Sequence, residues 1–399
     1  MTSRMLVALL MGFSCGLPLL LTLSVLQAWM KEEGVDLTVI GAMSLVGLPY
    51  TLKFLWSPVM DRFVPPFLGR RRGWLLITQV LLMLTIIWLG QTDPVLHPVR
   101  IAVIAILVSF CSASQDIVVD AYRREDLTDH ELGLGSSLYV NGYRLGMLLA
   151  SGGGLILADH IAFSAVYTIM AFCLIPGIVT TLMTSEPINI FGTPVTLAEA
   201  VIDPLREYFS RQGALWILAF ILLYKIGDSM ASAMTMPFYL DMGFSKTEIG
   251  AVVKLFGFWA TLAGALAGGV VLLRIGIYRG LWVFGVFQAI STAGFSVMAV
   301  MSPSVLMLST VIAFENFTGG MGTSAFAAYM ASITNKKFTA TQYALLSSLM
   351  GIPRVIAAAP TGYMAKETGW PVFFLACTLI AIPGLLLLTR LNPAHAESR

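Results

Sequence analysis

The sequence predicts an all-α integral membrane protein of twelve transmembrane helices, arranged as two pseudo-symmetric six-helix bundles. Three observations predict it: an apolar composition, twelve apolar runs, and a second half that repeats the first. Of the 399 residues, 57% are hydrophobic and 12% charged, and the mean hydropathy is +0.83. A water-soluble domain cannot cover its surface with so little charge. One bilayer crossing takes roughly 20 apolar residues, so the chain has room for about a dozen helices and no sizeable extramembrane enzyme domain. A net charge of +2, with no basic, aromatic-interleaved stretch outside the apolar runs, excludes nucleic acid as a partner. Cys15, Cys111, Cys173 and Cys377 lie inside apolar runs and read as small buried hydrophobes. His97, His130, His160 and His395 sit at segment ends without a ligand partner at i, i+4, so no metal site is expected.

In order, the spans are expected at 5–29, 37–60, 74–91, 99–122, 132–158, 162–183, 214–239, 246–272, 278–301, 304–331, 339–365 and 370–390. The first, Met5 to Met30, is longer than a signal-peptide core and lacks a small-residue cleavage site, so it reads as a retained helix. Thr184 to Gln212 is the one long polar interval, and its TLAEAVIDPLREYFSRQ has apolar residues at helical spacing, as in a helix lying at the membrane surface. The organisation is therefore a bundle over 1–183, an amphipathic linker over 184–212 and a second bundle over 213–399. With the N-terminus cytoplasmic, inside loops and tails hold fifteen of the 24 basic residues and outside loops four. That bias puts both termini and the linker in the cytoplasm.

Three matches argue for duplication. Gly34 to Ala42 aligns with Gly243 to Ala251 at an offset of 209, with five identities in nine; Arg144 matches Arg354 at 210; Ile175-Pro-Gly177 matches Ile382-Pro-Gly384 at 207. Same-orientation repeats about an axis along the membrane normal are the plan of major facilitator transporters, which bind substrate between the halves near the midplane.

Nine ionisable residues lie inside the spans: Lys53, Asp116, Asp120, Arg144, Lys225, Asp228, Lys254, Glu315 and Arg354. A charge at the bilayer centre is unfavourable by about 2.5–3.5 kcal/mol on the mildest scale, so each needs a partner or a wet cavity. At a rise of ~1.5 Å per residue, Arg144, Lys225, Asp228, Glu315 and Arg354 fall roughly 20 Å from their helix starts, near mid-bilayer. They are the candidate substrate layer, the competing reading being ion pairs that hold the halves together. Lys225 and Asp228 are i, i+3 and can pair with each other, so a binding role needs Lys225 to be free. Asp116 and Asp120 point the same way at i, i+4, and two carboxylates in low dielectric suit one holding a coupling proton. Their depth, about 30 Å from Val99, equally suits a gate pairing with Lys53 or Arg123.

Gly142, Gly146, Ala150 and Gly154 form a small-residue stripe on span five, read as helix packing. That span lacks the Gly-Pro pair of drug antiporters. In span ten, Glu315 and Asn316 precede a glycine-rich stretch that can open backbone groups to a ligand. Asn316 also fits a glycosylation sequon, discounted because it lies in the membrane.

The loop between spans two and three reads Ser57-Pro-Val-Met-Asp-Arg62, then Gly69-Arg-Arg-Arg-Gly-Trp74. It resembles the major facilitator signature of an acid–arginine pair followed by Gly-Arg-Arg, with Ser57-Pro58 in place of glycine and a longer spacing. With KFLWSPVMDR (53–62), SASQDIVVDAYR (112–123), GYRLGMLLASGG (142–153), LLYKIGDS (222–229), ENFTGGMGTSAF (315–326) and TATQYALLSSL (339–349), nearly the whole chain resembles the AmpG-type muropeptide permeases. The resemblance implies the major facilitator fold and a bacterial inner-membrane importer of N-acetylglucosaminyl-anhydro-N-acetylmuramyl peptides. It also implies that these enter with protons by alternating access, with no cofactor besides the coupling proton. Two departures stand out. Two C-terminal helices of some members are expected to be absent, and a polar Asn before the span-eight lysine is replaced by Val253, beside Lys254.

The site expected on these grounds comprises Arg144, Arg354, Lys225, Glu315, Asn316, Asn141 and Lys254 for substrate, and Asp116, Asp120 and Asp228 for protons. Asp61, Arg62, Arg70, Arg71, Lys53 and Arg123 are expected to gate. Five basic against four acidic intramembrane residues suit a net anionic ligand. The expected partners are an amino-sugar peptide and the lipid bilayer, with the chain acting as a monomer. Two alternatives stand: a carrier of another large anion such as an acyl-CoA, and a membrane-embedded transferase using Asp116 and Asp120 as an acid/base pair. The transferase leaves the duplicated halves unexplained.

Overall fold

The computed structural model describes residues 3–35, 43–187, 196–211, 213–245, 248–351, 357 and 360–391. Fifteen helices organise them, with no strand among the described residues. They are α1 Ser3–Met30, α2 Leu45–Leu55, α3 Ser57–Arg62, α4 Arg70–Gly90, α5 Pro98–Asp126, α6 Leu132–Leu148, which continues through a π-turn Leu149–Gly153 into Gly154–Ala158, and α7 Phe163–Met183. The chain continues through α8 Leu197–Ser210, α9 Ala214–Asp241, α10 Ile249–Ile275, α11 Ile277–Val300 and α12 Val305–Ile333. It ends with α13 Thr339–Leu349, α14 Thr361–Thr368 and α15 Trp370–Leu391. Eight of these (α1, α4, α5, α7, α9, α10, α11 and α15) are long and apolar enough to cross a bilayer among the described residues. The expected spans over 37–60 and 339–365 run partly through residues outside the described set.

By contacts the chain forms two compact units, Met1–Leu205 with Ala331–Ser348, and Arg206–Met330 with Leu349–Arg399. In the first, α1 and α6 touch backbone to backbone: Gly12 and Gly16 lie on Tyr139 and Tyr143, and Gly142 and Gly146 on Leu9 and Phe13. The Gly142/Gly146 stripe is thus helix packing, as its spacing suggests. One end of this unit closes with Trp29 stacked on Phe163 at 5.6 Å, while the Tyr167 hydroxyl donates to the Leu21 carbonyl at 2.8 Å. In the second unit, Phe238, Phe295 and Phe374 form an aromatic core, with Phe374 4.9 Å from Phe238 and 5.1 Å from Phe295. Gly264 and Gly268 of α10 lie on Phe317 and Met321 of α12.

The repeat seen in the sequence recurs as a contact. Gly177 packs on Ser14 of α1 in the first unit, and Gly384 packs on Leu223 of α9 in the second. Ser14 and Leu223 are 209 positions apart, the offset of the first sequence match. On α15, Leu375, Leu379, Ile382 and Leu386 are exposed along one face while Phe373, Cys377 and Leu385 are buried. Apolar residues on both faces mark a helix with lipid on one side and protein on the other.

A Cβ at Gly142 would lie 2.0 Å from the Leu9 carbonyl oxygen, whereas one at Gly152 meets nothing nearer than 3.6 Å. Backbone cannot yield as a side chain does. Gly142→Ala is therefore expected to lower the stability of the purified protein by about 1–3 kcal/mol, with Gly152→Ala nearly neutral. Thermal unfolding in detergent checks it, and equal melting of the two variants would contradict the packing account.

Candidate functional site

The first unit carries an ionic cluster built around Arg71. Leu68 and Gly69 both have positive φ, 58° and 85°, which turns the chain sharply into α4. The Arg71 and Arg72 amides at the start of that helix then donate to Glu186, at 2.7 and 3.0 Å. Such a cap satisfies amides that the first helical turn leaves unpaired. Fixed there, Arg71 is fully buried and donates to Asp61 at 2.8 Å and to Glu125 at 2.6 Å. Arg70 adds a bond to Glu125 at 3.0 Å.

The free lone pairs of these acids take the start of α13. The Thr341 amide and hydroxyl donate to Asp61 Oδ2 at 2.9 and 2.8 Å, and the Ala340 amide to Oδ1 at 3.3 Å. The Thr339 hydroxyl donates to Glu125 at 2.8 Å. Asp61, itself fully buried, thus acts as an anionic N-terminal cap for a helix that comes from the other half of the sequence. Buried charges of this kind hold only when every partner is present.

Next along α5 lie Asp120 and Asp116. Arg123 donates to Asp120 at 3.1 Å and to the Tyr343 hydroxyl of α13 at 2.8 Å, and its guanidinium stacks 4.5 Å from the Tyr139 ring. Lys53 stands 3.9 Å from the other Asp120 oxygen. Asp116 faces Lys53 and Cys15, and its Oδ1 is buried without a hydrogen-bond partner, as are Tyr50 Oη and Asn141 Oδ1.

The second unit has its own polar centre. α9 breaks its hydrogen-bond ladder at Tyr224 and Lys225, and Lys225 then reaches Gln288 at 3.2 Å, Asp228 at 3.4 Å and Thr323 at 3.5 Å. Lys225 is therefore not free, and any ligand drawn to it would compete with Asp228. Glu315 accepts from the Ser291 hydroxyl at 2.5 Å, and Thr318 supports Ser291 at 3.0 Å. Asp228 and Glu315 face each other within hydrogen-bonding reach. Asn316 is turned to α10, where it accepts from Thr261 at 2.9 Å.

The other residues singled out by sequence fall as follows. Arg144 is half-buried on α6, Arg62 is half-buried against Phe63, and Lys254 is exposed on α10. Arg354 lies outside the described residues. Sequence reasoning missed Glu125, Thr339, Thr341 and Tyr343 in the first unit and Gln288, Ser291, Thr318 and Thr323 in the second. Glu125 was legible as the acid of the Arg123-Arg-Glu-Asp126 run, and Gln288 as an amide inside an apolar span. No group of three or more His, Cys, Asp or Glu among the described residues is placed to hold a metal ion.

The profile of the Major Facilitator Superfamily matches residues 5–358 and 226–399. The chain is 45% identical over 387 residues to the anhydromuropeptide permease of Escherichia coli (strain K12), covering 96% of this chain and 79% of that protein. It is 34% identical over 394 residues to the putative transporter AmpG 4 of Rickettsia felis, covering 96% and 95%. Among solved structures it resembles the proton:xylose symporter XylE, with TM-score 0.72 over 98% of this chain and 95% of that one. It also resembles the human organic anion transporter MFSD10, with TM-score 0.69 over 97% of each chain. At 12% and 14% identity, these two likenesses concern the fold alone.

Proposed function

The chain belongs to the major facilitator superfamily, within its AmpG-type permeases, and as a membrane transporter of that kind we propose that it imports N-acetylglucosaminyl-anhydro-N-acetylmuramyl peptides with protons. The observation that carries the ligand class is the 45% identity, over nearly the whole chain, to a permease named for that substrate. The polar centre of the second unit supports it. Lys225, Gln288 and Thr323 supply a cation, an amide and a hydroxyl for a ligand with carboxylates, amides and sugar hydroxyls. Arg144, Asn141 and Arg354 supply further donors, and Glu315, Asn316 and Lys254 complete the proposed set. The chain works as a monomer in the bacterial inner membrane with both termini cytoplasmic, in keeping with the distribution of its basic residues.

Protons are carried by the buried carboxyl groups Asp116, with one oxygen unpartnered, Asp120, which Arg123 and Lys53 flank, and Asp228 with Glu315. Movement is gated by Asp61, Arg70, Arg71 and Glu125, with Arg62, Lys53 and Arg123 beside them. While Asp61 and Glu125 hold Thr339 to Thr341, α13 stays docked on α3 and α5, and alternating access requires that set of bonds to break and reform. Purified protein is expected to bind the disaccharide peptide in preference to a CoA thioester in equilibrium dialysis. Tighter binding of the thioester would transfer the reading to a carrier of other large anions.

A further inference from the structure

We infer that Tyr343 is the residue that ties the docking of α13 to the proton on Asp120, by holding Arg123 against that carboxylate. Arg123 uses one nitrogen, Nη2, for both bonds: 3.1 Å to Asp120 and 2.8 Å to the Tyr343 hydroxyl. Tyr343 rides on the same helix whose first residues are held by Asp61 and Glu125. Docking of α13 therefore brings an acceptor to Arg123, and undocking takes it away. The pairing is local to one unit and joins two groups with different tasks.

A second observation shows where the guanidinium can go. Nε and Nη1 of Arg123 are buried without a hydrogen-bond partner, although the residue is 3% exposed. Unmade bonds to a buried cation are costly. Beside Arg123 is a cavity walled by Arg4, Tyr122, Asp126 and Tyr139, with about 10 Å³ of space for water centres. That is room for about one water molecule. Arg4, at the rim, is half-exposed and lies 3.7 Å from Asp126. The cavity, which Asp126 also lines, thus offers Arg123 a hydrated position away from Asp120.

The groups that face Asp120 are Arg123 and Asp116 from α5, Lys53 from α2, Cys15 from α1, Tyr139 and Tyr143 from α6 and Tyr343 from α13. Arg123 is the nearer of the two cations. With α13 docked, Arg123 compensates the Asp120 charge and the carboxylate gives its proton to water. With α13 undocked, Arg123 turns to the cavity and Asp120 takes one proton from water. Arginine itself keeps its protons throughout. It works as a movable counter-ion, and Tyr343 as a positioning residue for it.

This rests on the proton-coupled reading above. The test is uptake of labelled disaccharide tripeptide by proteoliposomes at a series of external pH values, with the internal pH fixed, for wild type, Tyr343→Phe and Tyr343→Gln. Phe keeps the ring and removes the acceptor; Gln returns an acceptor without the ring. The wild type is expected to speed up as the outside is acidified. Tyr343→Phe is expected to lose that acceleration by about tenfold, the scale of one charge-assisted hydrogen bond, and Tyr343→Gln to regain part of it. An unchanged pH profile in Tyr343→Phe, with the wild type responding, would overturn the role of Tyr343 and leave proton coupling intact. A flat profile in the wild type would overturn both.

Discussion

Asp61→Asn is expected to slow transport about tenfold or more while leaving the equilibrium affinity for substrate within a few fold. The side chain is fully buried and accepts from Arg71, Ala340 and Thr341. An amide keeps one acceptor oxygen and presents an NH2 group to donors, so at least one of these partners is left unpaired. Removing one member of a buried ion pair typically costs about 3–5 kcal/mol. Here the loss falls on the docking of α13, because Arg71 retains Glu125 at 2.6 Å. Lys225 and Glu315, proposed to face the ligand, lie in the other unit and keep their partners. Initial uptake rates and equilibrium binding of the purified variant check this. Abolished binding in a folded Asp61→Asn protein would contradict a gating role.

Lys225→Met is expected to remove substrate binding by about 1.5–3 kcal/mol, the range for a hydrogen bond to a charged group, which is roughly tenfold to a hundredfold in affinity. It also leaves Asp228 facing Glu315 without a cation, so stability falls as well. The two effects separate in the double variant Lys225→Met with Asp228→Asn, in which the excess negative charge is gone. Stability is expected to return and affinity not. Recovery of affinity along with stability would reduce Lys225 to a structural partner of Asp228, the i, i+3 pairing that their spacing allows. Binding and melting temperature of the three proteins are the measurements needed.

What the sequence discloses and what it conceals follow from one physical difference. A charge in an apolar run is visible because it is costly there, and Lys225, Asp228, Glu315, Asp116 and Asp120 stood out for that reason. The uncharged residues that complete each centre do not stand out. Ser291, Thr318 and Thr323 each also bond a carbonyl three or four residues back on their own helix, which any membrane helix tolerates. Depth along a helix is legible from residue counting, but the face is not. Lys254 has the same sequence credentials as Lys225, yet it is exposed, next to exposed Leu255 and Phe256. The partners of Asp61 were hidden for another reason: Thr341 is 280 positions away, and only the folded chain brings them together. The fold class was the legible part, since hydropathy marks the apolar helices, eight of them long enough to cross a bilayer among the described residues, and three offsets disclose the repeat.

The central claim is that this transporter uses protons to bring in anhydromuropeptides, and uptake in a sealed system tests it most directly. Purified protein in proteoliposomes, in sodium-free buffer with the outside more acidic than the lumen, is given labelled N-acetylglucosaminyl-anhydro-N-acetylmuramyl tripeptide. Accumulation above the external concentration is expected, lost when a protonophore collapses the gradient, with Asp116, Asp120, Asp228 and Glu315 the groups proposed to carry the coupling ion. Uptake at full rate with the gradient collapsed, or no uptake of this ligand by well-folded protein, would contradict it.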